Sequence, residues 1–104
     1  MSDYSNTIYT RVSSGGGHAT LTIASNYAIS SSIPCREVYA QAAATNAGSV
    51  AVSFSSTVSL LGGMRLTKAS NTSGQPLRIP VDDVNRLHFY GTNDGDKVIV
   101  MYRK

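Results

Sequence analysis

The apolar residues of this chain return at every second position, in runs too short for helices, and turn-forming residues close each run. Successive side chains of a strand point to opposite faces, so this alternation commits a chain to half-buried β structure. The cleanest case is Val50, Val52 and Phe54, expected inward, against Ser49, Ala51 and Ser53, expected outward. No segment sustains a helical period.

Applied along the chain, the same test yields a series of short strands. Asn6 to Val12 alternates Ile8 and Thr10 with Thr7, Tyr9 and Arg11, and Gly15-Gly16-Gly17 reads as a flexible bend. Leu21 and Ile23 point inward, and the chain then loosens through Asn26 and Ser30-Ser31-Ser32. Pro34 opens a strand from Cys35 to Ala43. Its Arg36, Val38, Ala40 and Ala42 share one face and its Cys35, Glu37, Tyr39 and Gln41 the other. Asn46-Ala47-Gly48 reads as a hairpin turn into the strand at Val50. Met64 to Thr67, Leu77 to Val81 and Leu87 to Tyr90 supply further strands, and the stretch from Ala69 to Gln75 is expected to be an exposed loop. Asp94-Gly95 is a strong hairpin signal ahead of the last strand.

Seven to eight short antiparallel strands with turn signals every 8–12 residues predict an all-β, single-domain β-sandwich, jelly-roll-like in architecture. At 104 residues the chain fits one domain over 1–104 with one modest core. Residues 1–12 are expected to form an assembly arm or an edge strand.

Charged residues make up only 14% of the chain, against roughly 25% in an average soluble domain, so Ser and Thr must cover much of the surface. The net charge of +3 is spread over scattered Lys and Arg with no basic stripe, so no specific nucleic-acid partner is expected. The start Met1-Ser2-Asp3-Tyr4 lacks the apolar core of a signal peptide, and no apolar run approaches membrane-spanning length. No membrane partner is expected.

The single Cys35 excludes an internal disulfide and a cysteine zinc cluster, and points to a reducing compartment. Cys35 with His18 or His88 and one of Asp82, Asp83, Asp94 or Asp96 would contain the groups of a nucleophile set, yet no nucleophile motif surrounds the thiol. Packing as a small hydrophobe explains it better. Two isolated histidines do not make a metal site, and Asn93-Asp94-Gly95-Asp96 lacks the length and distal glutamate of a calcium loop. No catalytic residue, cofactor or metal is expected. Sugar binding would call for an exposed aromatic platform, but Trp is absent and the Tyr and Phe residues mostly fit core positions.

From Ile33 onward the sequence resembles small virion structural proteins of tailed bacteriophages, of the head decoration or cement type. The residues that carry the likeness are Ile33-Pro34-Cys35-Arg36-Glu37-Val38-Tyr39, Asn46-Ala47-Gly48 with the strand after it, Gly63-Met64-Arg65-Leu66, Ile79-Pro80-Val81-Asp82-Asp83-Val84, and Tyr90-Gly91 through Tyr102. The resemblance implies a non-enzymatic protein made in the host cytoplasm and carried on the capsid surface. It also implies a major capsid protein lattice as partner and a homotrimer as the assembled form. A tail- or fibre-associated adhesion or carbohydrate-binding module is the alternative.

The last strand adds a reading from the residues themselves. Val98, Val100 and Tyr102 lie on one side, and Ile99 and Met101 on the other. Such a strand is central to a sandwich or covered outside by a partner. Ile99, Met101, Tyr102 and Arg103, with Tyr9 and Arg11 from the first run, are therefore the candidate interface.

Overall fold

The computed structural model describes residues 16–68 and 75–104. Eight strands lie among them: β1 (Gly16–Thr22), β2 (Tyr27–Ile29), β3 (Glu37–Ala42), β4 (Val50–Ser53), β5 (Met64–Leu66), β6 (Leu77–Pro80), β7 (His88–Gly91) and β8 (Lys97–Arg103). A 3₁₀ turn, Val84–Arg86, precedes β7.

The pairings are nested. β1 pairs antiparallel with β8, β2 with β7, β3 with β6 and β4 with β5. The chain is thus a long two-stranded ribbon that doubles back between β4 and β5. Two more antiparallel pairings, β3 with β8 and β4 with β7, wrap that ribbon into two four-stranded sheets. Their strand orders are β1-β8-β3-β6 and β2-β7-β4-β5. This is the jelly-roll sandwich that the spacing of the runs predicts.

Alternation places the core between the sheets. Val38, Ala40 and Ala42 of β3 and Val98 and Val100 of β8 face Val50 and Val52 of β4 and Phe89 of β7, and all are buried. Phe89 is the largest fully buried side chain among the described residues. Ile23, Val84 and Leu87 close the core from the connections.

Several local expectations change. Gly16 and Gly17 do not form a bend: they belong to β1 and pair with Arg103 and Tyr102. A Cβ on Gly17 would lie 2.6 Å from the Tyr102 hydroxyl, so the missing side chain makes room for that ring. Phe54, expected inward with Val50 and Val52, lies past the end of β4 and is 66% exposed. Ala51, expected outward, is fully covered between Tyr90 and Arg65 on the outer face. The strand expected from Cys35 begins two residues later, and β2 has no counterpart in the alternation because three residues are too few to show a period. The strand expected at Asn6 to Val12 and most of the loop expected from Ala69 lie outside the described residues.

Neither Asn46-Ala47-Gly48 nor Asp94-Gly95 makes a hairpin. Each connects strands of opposite sheets, β3 to β4 and β7 to β8. The two arches lock together: Asn46 Nδ2 donates to the Lys97 carbonyl and its Oδ1 accepts from Lys97 N, both at 2.8 Å. Asp96 accepts the Ala47 and Gly48 N–H groups at 3.0 and 2.8 Å. Gly95, at φ 91°, supplies the left-handed residue the turn requires. Turn chemistry therefore accounts for the acidic cluster.

Candidate functional site

β8 is central in its sheet, with β1 on one side and β3 on the other, so the outward side of β8 lies in the middle of a sheet rather than at an edge. Register sets the neighbours. Met101 lies opposite His18 of β1 and Tyr39 of β3, while Ile99 lies opposite Thr20 and Gln41. Ile99 is 37% exposed and Met101 59% exposed, although both belong to a strand whose inward residues Val98 and Val100 are fully buried. Between them and Tyr39 runs a groove of about 520 Å³ that reaches His18, Gly17 and Arg103. A smaller hollow of about 260 Å³ continues it past Gln41 to Pro76.

One end of the groove carries a charge cluster. Glu37, buried at 8% side-chain exposure, accepts from Arg78 Nε at 2.6 Å and lies 3.2 Å from Arg103 Nη1, and the Tyr39 hydroxyl donates to it at 3.3 Å. Burial pushes the Glu37 carboxyl upward. The Arg78 hydrogen bond and charge, the Tyr39 hydroxyl and the Arg103 charge together outweigh it and hold the carboxyl below the usual range. The groove therefore has an apolar floor and a fixed, charge-compensated rim, an arrangement suited to packing against a partner surface.

Of the candidate interface residues, Ile99 and Met101 share this face with Arg103 beside them. Tyr102 is half-buried, packs against the core and also lines the groove together with Gly17. Tyr9 and Arg11 lie outside the described residues. Alternation did not single out Tyr39, Glu37 or Arg78, because nothing in a strand's own sequence reveals which strands flank it.

Of the groups named for a nucleophile set, Asp82, Asp83 and His88 line one recess, whereas Cys35 and His18 do not. Cys35 is half-buried and its Sγ donates to the Val81 carbonyl at 3.3 Å. Burial first, and then the negative charges of Asp83 and Asp82, push its thiol up, away from the thiolate a nucleophile needs. His18 faces outward on β1, and His88 on β7 is hydrogen-bonded through Nδ1 to the Tyr27 hydroxyl. Asp83 accepts from Ser32 Oγ at 2.6 Å and from the Ile33 and Asn85 N–H groups at 2.8 and 2.9 Å. The Ser32 bond, the Asn85 and Ile33 bonds and the Arg86 charge lower its pKa against the opposing effect of burial. Among the described residues no three His, Cys, Asp or Glu side chains converge in a way that would hold a metal ion. The chain matches no protein-family model, no curated protein and no solved structure, so the residues and their geometry carry the functional reading.

Proposed function

We propose that this domain is a non-enzymatic structural protein of a tailed-phage virion, a decoration or cement protein that seats on the head shell through the outer face of the β1-β8-β3-β6 sheet. The observation that carries the reading is the exposure of Ile99 and Met101 beside Tyr39 in the middle of a sheet. A solvent-facing side of an antiparallel sheet ordinarily carries polar residues, whereas an apolar strip inside a polar rim is the usual anatomy of an interface. The low charge content and the likeness to phage virion proteins point the same way. In this role the protein adds contact area between major capsid subunits and so resists the pressure of packaged DNA. The homotrimer rests on the likeness alone, since cement proteins at threefold positions commonly assemble so.

The test is co-sedimentation of purified protein with phage heads that lack their decoration protein, alongside light scattering for the assembled mass. The wild type is expected to pellet with the heads and to scatter as a trimer. Ile99→Lys with Met101→Lys is expected to stay folded and remain in the supernatant. A double variant that binds heads as well as the wild type removes this face from the reading, and a wild type that ignores heads removes the reading itself.

A further inference from the structure

At one end of the β2-β7-β4-β5 sheet, in the layer opposite the apolar groove, Phe54, Asp82, Asp83, Asn85, Arg86 and His88 line an open recess of about 670 Å³. Three elements build it: the chain leaving β4 supplies Phe54, the β6–β7 connection supplies Asp82, Asn85 and Arg86, and the first residue of β7 is His88. The connection is held in place by Asp83, which caps the 3₁₀ turn and ties it to Ser32 and Ile33. The recess thus stands on an ordered frame.

Its groups are of two kinds. Phe54 presents an aromatic face to solvent at 66% exposure, where the alternation would have buried it. The polar groups retain hydrogen-bonding capacity. Arg86 Nε donates to Asp82 Oδ1 at 2.6 Å, and among the described residues the Arg86 Nη groups, Asp82 Oδ2, the Asn85 side-chain amide and His88 Nε2 have no protein partner. Charge narrows the ligand class. Asp82 and Arg86 neutralise each other, and the Asp83 carboxylate is engaged by its three donors. The recess therefore offers an anion no unpaired positive charge, and the one carboxylate left over, Asp83, already has its oxygens engaged by protein donors, so a neutral ligand with many hydroxyls fits best.

We propose that this recess binds a neutral saccharide, the Phe54 ring stacking on the apolar C–H face of one pyranose while Asp82, Asn85, Arg86 and His88 take its hydroxyls. The negative face of an aromatic ring attracts the weakly positive C–H edges of a sugar. Acceptor and donor held side by side in the Asp82–Arg86 pair match the paired hydroxyls of a pyranose. A volume of about 670 Å³ falls within the range of small-molecule sites. This inference is independent of the docking face. A protein seated by its β1-β8-β3-β6 sheet leaves the other sheet turned toward the medium.

The experiment is a titration of the ¹⁵N-labelled full chain with glucose, galactose, mannose, N-acetylglucosamine and lactose at millimolar concentrations, followed by amide chemical shifts. At least one sugar is expected to move the amides of Phe54, Asn85, Arg86 and His88 while leaving those of Ile99 and Met101 in place. Phe54→Ala is expected to remain folded and to weaken binding about tenfold or more, whereas Phe54→Tyr retains it. Leu61→Ala, at an exposed apolar residue outside the recess, is expected to bind as the wild type does. The proposal is overturned if none of the five sugars perturbs the recess, or if the shifts persist in Phe54→Ala. Loss of head binding with retained sugar shifts would strike only the docking face.

Discussion

Arg78 Nε donates to Glu37 Oε1 at 2.6 Å, reaching diagonally across the β3–β6 pair from a position opposite Tyr39. The contact keeps a carboxylate ionised at the rim of an apolar groove. Without Arg78 and Arg103, burial would favour the protonated acid.

The first prediction follows from that charge state. Glu37 and Asp83 both have folded pKa values below their ordinary ones, so each contributes stability above its unfolded pKa and loses it as pH falls through the folded value. Thermal unfolding is expected to be level between about pH 7 and about pH 5 and to fall steadily below about pH 4. Glu37→Gln is expected to flatten that acid limb. An acid limb unchanged in both Glu37→Gln and Asp83→Asn would show that other groups control it.

The second prediction concerns the locked arches. Asp96 is buried and accepts two backbone N–H groups, so Asp96→Ala leaves two donors short of partners and is expected to cost about 2 kcal/mol. Asp94 is exposed and accepts one, from Asn26, so Asp94→Ala is expected to cost less than about 1 kcal/mol. Urea denaturation of the two variants measures the difference, and equal losses would mean that the arch does not depend on Asp96.

A third prediction separates β4 from the chain beyond it. Val52→Asp is expected to unfold the domain, because an unpaired charge in the core costs several kcal/mol. Ala51→Asp is expected to do nearly the same, since that residue is fully covered on the outer face. Ser53→Asp keeps the fold, and Phe54→Ser is expected to change stability by no more than about 0.5 kcal/mol. Circular dichroism and melting curves read all four. A Phe54→Ser variant as damaged as Val52→Asp would return Phe54 to the core.

The fourth prediction addresses Cys35. Its thiol is raised by burial and by Asp83 and Asp82, so iodoacetamide at neutral pH is expected to alkylate the folded protein more slowly than the urea-unfolded chain. The melting midpoint is expected to be the same with and without reductant, because the chain has no second thiol. Cys35→Ser keeps a donor for the Val81 carbonyl and is expected to fold. Alkylation faster in the folded state would mark an activated cysteine.

The all-β class and the inward face of β3 are legible in the residues alone. Val38, Ala40 and Ala42 alternate with Glu37, Tyr39 and Gln41, and a period of two leaves one way to bury them. β8 reads as apolar on both sides, and the packing of the sheets turned Val98 and Val100 inward and left Ile99 and Met101 outside. Tertiary structure alone decided which strands meet. Asn46-Ala47-Gly48 and Asp94-Gly95 look like hairpin turns but make arches, because a turn residue fixes local backbone angles and leaves open whether the next strand pairs beside the last or crosses to the other sheet. Strand order then set the chemistry of both faces. Placing β8 between β1 and β3 brought Tyr39 to Met101 and Arg103 to Glu37, and the crossing from β6 to β7 carried Asp82 and Arg86 to Phe54. These residues lie far apart along the chain. Only the closure of the core, which no local pattern encodes, brings them together.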